Sequence, residues 1–180
     1  MEDKEILTEV TKYLDYLETP SDNFSGMAVC PFLKKERITE ALMLKIWRPN
    51  EQSFFSVLDE FVESDKSSAL LVCMDSDGLM WEEVNRKKYQ IAIQLAMKEK
   101  GYKKHKALCF SPHEDYSAAG EQTRKKSPYF LINIAEKDAL DEAHRSLWKT
   151  KYFDNFTEEE QKRLKVFPCL LYTSPSPRDP

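Results

Sequence analysis

Four short apolar runs place the strongest constraint on the fold of this chain. They cover residues 41–47, 68–74, 106–110 and 129–135, and each is rich in residues that favour β-strands. Helical patterns separate the first three runs, which favours parallel strands, whereas no helical pattern lies between the last two. The sequence therefore predicts an α/β fold (α+β is the alternative), a single-domain sandwich in which helices flank a four-stranded mixed sheet. Strand order does not follow from the sequence.

Apolar side chains spaced three or four residues apart predict the helices. The first helix is expected at residues 3–17, and a second follows Asn50, which is a suitable N-terminal cap. A long third helix is expected between a turn at residues 75–78 and a stop at Gly101. The buried faces expected for the second and third helices consist of Phe54, Leu58, Phe61 and Val62, and of Trp81, Val84, Ile91 and Leu95.

The segment after the last strand predicts two further helices. Asp138 is expected to cap the first of them. Thr157 is expected to begin the second, because Glu160 stands three residues later and completes a capping box.

The last residues of the chain are expected to be non-native. Residues 169–179 read CLLYTSPSPRD, and permitted codons for this stretch spell a transposase-type sequencing adapter. A natural Ser/Pro-rich tail would share the composition but would match the adapter only by accident. We therefore expect residues 1–168 to form the single α/β domain, truncated near Pro168, and residues 169–180 to be a disordered adapter-derived tail.

Charge and cysteine content exclude several classes of function. A net charge of -4 gives no support for nucleic-acid binding. No run approaches the roughly 18 apolar residues of a membrane span, and the acidic N-terminus does not resemble a signal peptide. Before residue 169 the cysteines are Cys30, Cys73 and Cys109, an odd set without CxxC spacing, which disfavours disulfides and a zinc ribbon. We expect a cytoplasmic protein with no nucleic-acid or membrane partner; its oligomeric state is not indicated.

A candidate site lies in residues 107–134, where two strands flank a polar loop. The loop contains His113, which can act as acid, base or ligand near neutral pH, and Asp115, which can orient it. Polar groups gathered at strand ends are typical of sites in α/β proteins. The alternative is a solvated turn in which Asp115 caps the loop backbone.

Three short motifs resemble a bacterial family of unknown function, domain-of-unknown-function family 1415. The first motif is Cys30-Pro31-Phe32, which follows the first helix. The second comprises His113, Asp115, Tyr116, Ala119 and Gly120, and the third comprises Ser127, Pro128 and Tyr129. The resemblance spans most of residues 1–150 and implies that Cys30 belongs to the same site as His113. It supplies no activity.

The chain also departs from the pattern of this family. Glu114, Lys126 and Phe130 replace a proline, an arginine and a second proline of the motifs. Asn133 and Glu136 stand where the family has a later histidine and arginine. A mechanism that requires the second histidine is therefore not expected here.

Two hypotheses for the function follow. In the first, the chain is a small enzyme-like domain in which Cys30 is a nucleophile or soft ligand. His113 is an acid, base or ligand that Asp115 orients, and Tyr116 donates hydrogen bonds. A small anionic ligand would be bound by Arg124, Lys126, Ser127 and Tyr129. In the second, the same motifs are structural in a non-catalytic binding or interaction module, Cys30 is a buried apolar residue and the cations are solvated.

A metal ion is a further hypothesis for this loop. Cys30, His113 and Asp115, completed by Glu114 or His144, would supply ligands suited to zinc or iron. The chain has no HxxxH, HExxH or paired-cysteine spacing that would require such a site. Residues 75–78 are interpreted as a turn, because their glycine falls too early for a calcium loop.

Overall fold

The computed structural model describes residues 2–74, 81–113, 116–118 and 122–166. The helices in these ranges are α1 (Asp3–Glu18), α2 (Leu33–Ile38), α3 (Phe54–Glu63), α4 (Arg86–Glu99), α5 (Lys137–Leu147) and α6 (Glu158–Val166), with short 3-10 turns at Asp22–Phe24 and Trp81–Glu83. The strands are β1 (Pro20–Ser21), β2 (Met27–Ala28), β3 (Leu42–Trp47), β4 (Ser68–Cys73), β5 (His105–Phe110), β6 (Tyr116–Ala118), β7 (Gln122–Arg124) and β8 (Phe130–Glu136).

The central element is a four-stranded mixed sheet with the order β3-β4-β8-β5. Strands β3 and β4 are parallel, and β8 is antiparallel to both of its neighbours, β4 and β5. Strand β8 is thus inserted between two strands that run in the same direction. This arrangement confirms the predicted α/β fold with a four-stranded mixed sheet. Two small antiparallel pairs, β1 with β2 and β6 with β7, lie outside this sheet.

One face of the sheet is covered by α3 and α4. Val57, Leu58 and Phe61 of α3, together with Ile93 and Met97 of α4, pack on alternate residues of the strands. Cys73 and Cys109 belong to this core, and both are buried. Side chains alternate between the two faces of a strand, so the residues between these positions face the other layer.

The other face is covered by α1, α2 and α5. Ile6, Val10 and Leu14 of α1 pack against residues such as Leu70 and Leu131 of the two central strands. Helix α2 lies beside α1, and α5 directly follows β8 and contacts it. The molecule therefore has helices on both faces of the sheet, and the second face forms the wall of the site described below.

Two glutamines of α4 cover the outer edge of strand β5. Gln94 accepts a hydrogen bond from the amide of Ala107 at 2.9 Å and donates one to the carbonyl of His105 at 3.1 Å. Gln90 accepts a hydrogen bond from the amide of Cys109 at 2.9 Å. Edge strands expose unpaired backbone groups, and these side chains satisfy several of them.

The segment 148–156 folds back onto the protein. Tyr152, Phe153 and Phe156 are buried in an aromatic cluster with Phe24 and with Leu164 of α6. The Tyr152 hydroxyl donates a hydrogen bond to the carbonyl of Val29 at 2.5 Å, which attaches this segment to the chain before α2. These aromatic side chains therefore serve as internal core.

Several predicted helix details are wrong. Ile91 and Leu95 of α4 are 62% and 56% exposed, and Val62 of α3 is 46% exposed, although all three were expected to be buried. The side chains of α4 that face the sheet, Ile93 and Met97, are offset from the predicted stripe, and the helix itself begins only at Arg86. The residues 75–78 that were expected to turn into this helix lie outside the described ranges.

The expected helix caps were partly wrong. Ser53 caps α3 in place of Asn50, and Glu136 precedes the first residue of α5 in place of Asp138. The capping box at Thr157 is confirmed, because Thr157 Oγ1 accepts a hydrogen bond from the amide of Glu160 and the Glu160 carboxylate accepts one from the amide of Thr157. Among the described helices none combines the length and the apolar character that a bilayer crossing requires.

Candidate functional site: a cavity between the sheet and three helices

A cavity of about 130 Å³ lies between the second face of the sheet and helices α1, α2 and α5. Its walls are mainly apolar, and it is partly open to solvent. The sheet contributes Leu70 and Leu131, α1 contributes Leu14 and Leu17, and α5 contributes Leu140. A concave apolar site with a few polar groups is the usual form of a small-molecule site in a protein.

The main polar group of the cavity is the carboxyl group of Glu36 on α2. Ser68, the first residue of β4, donates a hydrogen bond from its hydroxyl to this carboxyl at 2.9 Å. Burial raises the pKa of Glu36, while hydrogen bonds from Ser68 and Ser67 act in the opposite direction. Glu36 forms no ion pair with any residue in the described ranges.

Asn133 adds a second polar group on the sheet. It sits within the otherwise apolar strand β8 and lines the cavity together with Ala135. Its Nδ2 donates a hydrogen bond to the carbonyl of Ala69 at 3.3 Å, and within the described ranges its Oδ1 accepts none. Because Ser68 pairs with Ala135 across the strands, Ser68 and Asn133 are diagonal neighbours on one face.

Cys30 also lines the cavity, which places one predicted site residue there. Its amide donates a hydrogen bond to the carbonyl of Leu17 at the end of α1, and its carbonyl accepts one from the amide of Leu33. Cys30 therefore stands at the junction of α1 and α2, and Phe32 from the same motif lines the cavity beside it. The thiol is half-buried and forms no disulfide.

The structure does not bring His113 into this cavity. His113 is exposed, and it is not one of the residues that line the cavity with Cys30. Its amide donates a hydrogen bond to the hydroxyl of Ser111 at 3.2 Å. Asp115 and Glu114 lie outside the described residues, so the expected orientation of His113 by Asp115 stays a prediction.

The loop after His113 contains the other predicted ligand-binding residues. The backbones of Tyr116 and Arg124 pair with each other in the small hairpin of β6 and β7. Lys126 is exposed, whereas Ser127 is only 2% exposed and its hydroxyl forms no hydrogen bond with any residue the structure describes. Neither Lys126 nor Ser127 lines the cavity.

The segment around Tyr129 is attached to helix α1. The Tyr129 hydroxyl donates a hydrogen bond to the carboxylate of Glu9, and the amide of Lys125 donates one to the hydroxyl of Tyr16 at 3.1 Å. Burial and the nearby Glu9 raise the pKa of Tyr129 to about 12. The Lys125 ammonium lies 5.8 Å from the centre of the Tyr16 ring, a cation–π distance. Tyr129 thus has a structural contact with α1 in addition to its predicted role in ligand binding.

His144 belongs to the aromatic cluster instead of the cavity. It is 7% exposed, and its Nε2 accepts a hydrogen bond from the indole nitrogen of Trp148 at 2.8 Å. Burial lowers the pKa of His144, against smaller opposing effects of Asp141 and the carbonyl of Leu164. In the described part of the chain no three His, Cys, Asp or Glu side chains are grouped closely enough to hold a metal ion. Glu114 and Asp115, two of the proposed ligands, fall outside that part.

Sequence reasoning missed Glu36, Ser68 and Asn133 as site residues. A signal for Asn133 was present, because an amide within a run of buried apolar residues indicates a polar function or partner on that face. Glu36 gave no comparable signal, since α2 was not predicted.

Comparison of the chain with protein-family models, with curated proteins and with solved structures finds no significant match. The structure itself therefore defines the class, which is an α/β protein with a small, mainly apolar cavity between one helical layer and its sheet. The resemblance to the family of unknown function stays a prediction from the three motifs.

Proposed function

We propose that this chain binds a small molecule in the cavity between the sheet and helices α1, α2 and α5. The cavity supports this proposal, because its volume of about 130 Å³ approaches that of apolar cavities that accept benzene, roughly 150 Å³. The polar groups of Glu36, Ser68 and Asn133 would fix the orientation of a ligand whose body lies against the apolar walls.

The cavity favours a different ligand from the small anion expected at the loop. No lysine, arginine or histidine is among the described residues that line it, and its ionisable carboxyl group would repel an anion when ionised. Binding of an anion would depend on Lys125 and Lys126, which are exposed. We therefore propose the binding-module hypothesis, with a ligand that is mainly apolar.

A thiol enzyme is the second candidate, and the position of Cys30 supports it. Cys30 lines the same cavity as Glu36, a half-buried carboxyl group that can exchange a proton with a bound molecule. In that case the Cys30 sulfur would add to a carbonyl carbon of the ligand, the π bond of that carbonyl would open, and the thiol proton would pass by way of Glu36 to the carbonyl oxygen. A Cys30→Ser variant that keeps ligand binding but loses turnover would favour the enzyme, whereas binding without any turnover favours the binding module.

Benzyl alcohol is a suitable first probe, because its aromatic ring matches the cavity and its hydroxyl can reach a polar group. Binding of benzyl alcohol to the native state should raise the melting temperature. It should also slow the reaction of Cys30 with iodoacetamide, which is measured by mass spectrometry of the peptide that contains Cys30. Buried Cys73 and Cys109 provide internal references for unfolding. The proposal fails if the probe neither stabilises the protein nor slows modification of Cys30.

Ala143→Leu fills the cavity from α5 and should abolish both effects of the probe. Ala92→Leu is the matched control, since Ala92 is exposed on α4, which packs on the opposite face of the sheet. Equal responses of the two variants would place the bound probe outside the cavity and contradict the proposal.

A further inference from the structure

We infer that the ligand of this cavity is a small amine, bound as its ammonium ion, with its nitrogen at Glu36 and its apolar body against the sheet. This inference rests on the proposed function and specifies the chemical class of the ligand. It follows from the charge and the hydrogen-bonding capacity of the polar end of the cavity.

Among the residues that the structure describes, none provides a counter-ion for the carboxyl group of Glu36. Its hydrogen bonds come from neutral serine hydroxyls, and it forms no ion pair within the described ranges. The half-buried Lys66, close in sequence to Ser68, is directed elsewhere, because its ammonium donates to the carbonyl of Glu40 and pairs with Asp65. Burying a carboxylate beside apolar walls costs free energy unless a positive charge lies next to it. A bound cation would provide that positive charge.

The hydrogen-bonding groups at this end of the cavity match an ammonium group better than they match any other polar group of a ligand. An ammonium ion has three donors and no acceptor. Glu36 offers carboxylate oxygens, and Asn133 offers its Oδ1, which accepts no hydrogen bond within the described ranges. The Ser68 hydroxyl already donates to Glu36, so it orients the carboxylate instead of competing for the ligand. Acceptors therefore predominate at this end of the cavity.

Alternative ligand ends fit less well. A carboxylate would face the charge of Glu36 in a region where water screens it poorly. An alcohol has a single donor and no charge, so it can use only part of the available acceptors. The apolar remainder of the ligand is limited to roughly the size of benzene by the cavity volume of about 130 Å³.

Three matched probes test this inference: benzylamine, benzyl alcohol and benzoate, which share the ring and differ in the polar group. Their dissociation constants are measured by NMR titration of the full chain at neutral pH and constant ionic strength. Benzylamine should bind roughly tenfold or more tightly than benzyl alcohol, because hydrogen bonds to a charged group are stronger than neutral ones. Benzoate should bind most weakly.

Glu36→Gln should remove the preference for benzylamine while benzyl alcohol still binds. Glu40→Gln makes the same charge change at an exposed position outside the cavity lining and should keep the preference. Asn133→Ala removes the other acceptor at this end of the cavity and leaves the charge of Glu36 in place; it should reduce the preference for benzylamine, and it provides a second variant if Glu36→Gln folds poorly.

The outcomes separate this inference from the proposed function. Equal binding of benzylamine and benzyl alcohol, or an amine preference that survives Glu36→Gln, overturns the amine assignment and leaves the cavity as a general apolar site. Failure of all three probes to bind the wild-type protein overturns the proposed function, and the amine assignment with it.

Discussion

Filling the cavity with Ala143→Leu should stabilise the protein. Ala143 lines the cavity from α5 and is half-buried, so a longer side chain at this position can enter the empty space. Leucine adds three carbon atoms, which would contribute at most about 2.4 kcal/mol at about 0.8 kcal/mol for each buried group. Ordering the leucine side chain costs about 0.5–1 kcal/mol. Because the position is half-buried, we expect a net gain of about 1 kcal/mol.

Urea denaturation of the wild-type protein and of Ala143→Leu measures this gain. A free energy of unfolding higher by about 1 kcal/mol, with an unchanged dependence on urea concentration, is the expected result. The melting temperature should rise by about 2–4 °C for a chain of this size. Ala92→Leu, on the exposed side of α4, should change the stability by less than about 0.5 kcal/mol.

A loss of stability in Ala143→Leu would refute the reasoning. Inserting a side chain into a well-packed region costs about 1–3 kcal/mol, so destabilisation of that size would mean that α5 and the sheet already fill the space. An equal gain in Ala92→Leu would show that the effect does not come from the cavity.

Three further changes test the electrostatics and the limits of the site. Because burial raises the pKa of Glu36, the free energy of unfolding should fall as the pH rises from the ordinary pKa of a glutamate through the raised pKa. Urea titrations of Glu36→Gln at several pH values should show a weaker dependence of this free energy on pH. An unchanged dependence would contradict a raised pKa of Glu36. Trp148→Phe removes the donor to buried His144 and should cost about 1–3 kcal/mol in the same assay, whereas a cost below about 0.5 kcal/mol would contradict a role for that hydrogen bond. His113→Ala should leave binding of benzyl alcohol unchanged, because His113 is exposed and does not line the cavity. Loss of binding would indicate that the ligand binds at the loop that contains His113.

The sheet could be predicted from the sequence because its strands are short apolar runs of the right length. The central strand β4 is buried along its whole length, which explains why residues 68–73 form an uninterrupted apolar run after Ser68. Strand order could not be predicted, since the insertion of β8 between β4 and β5 depends on contacts between segments that are distant in the chain.

The orientation of α4 was mispredicted because the apolar stripe is an incomplete guide to burial. Ile91 and Leu95 form such a stripe but are exposed, while Gln90 and Gln94 face the sheet and bind the edge of β5. Backbone groups at a sheet edge need hydrogen-bond partners, and this requirement competes with apolar burial in setting which side of a helix faces inward. A pattern of apolar residues in the sequence gives no information about these hydrogen bonds to the sheet edge.

The candidate site was only partly accessible to sequence reasoning. Cys30 lines the cavity, and it was singled out because it belongs to a recognisable short motif in a segment that resembled a loop. Glu36, Ser68 and Asn133 come from three separate segments, each with one polar residue of ordinary type. Their association depends on α2 and on the register of β4 with β8, neither of which the sequence indicates.

The existence of the cavity follows from the same register. Ser68 pairs with Ala135 across the two central strands, so two short side chains are adjacent at one end of the sheet face. Helix α5 begins directly after β8 and adds Ala139 and Ala143 above this end. Short side chains from both layers therefore coincide and leave space. A large residue at any of these four positions would reduce that space, so the ligand-binding capacity proposed for this chain depends on small residues as much as on Glu36.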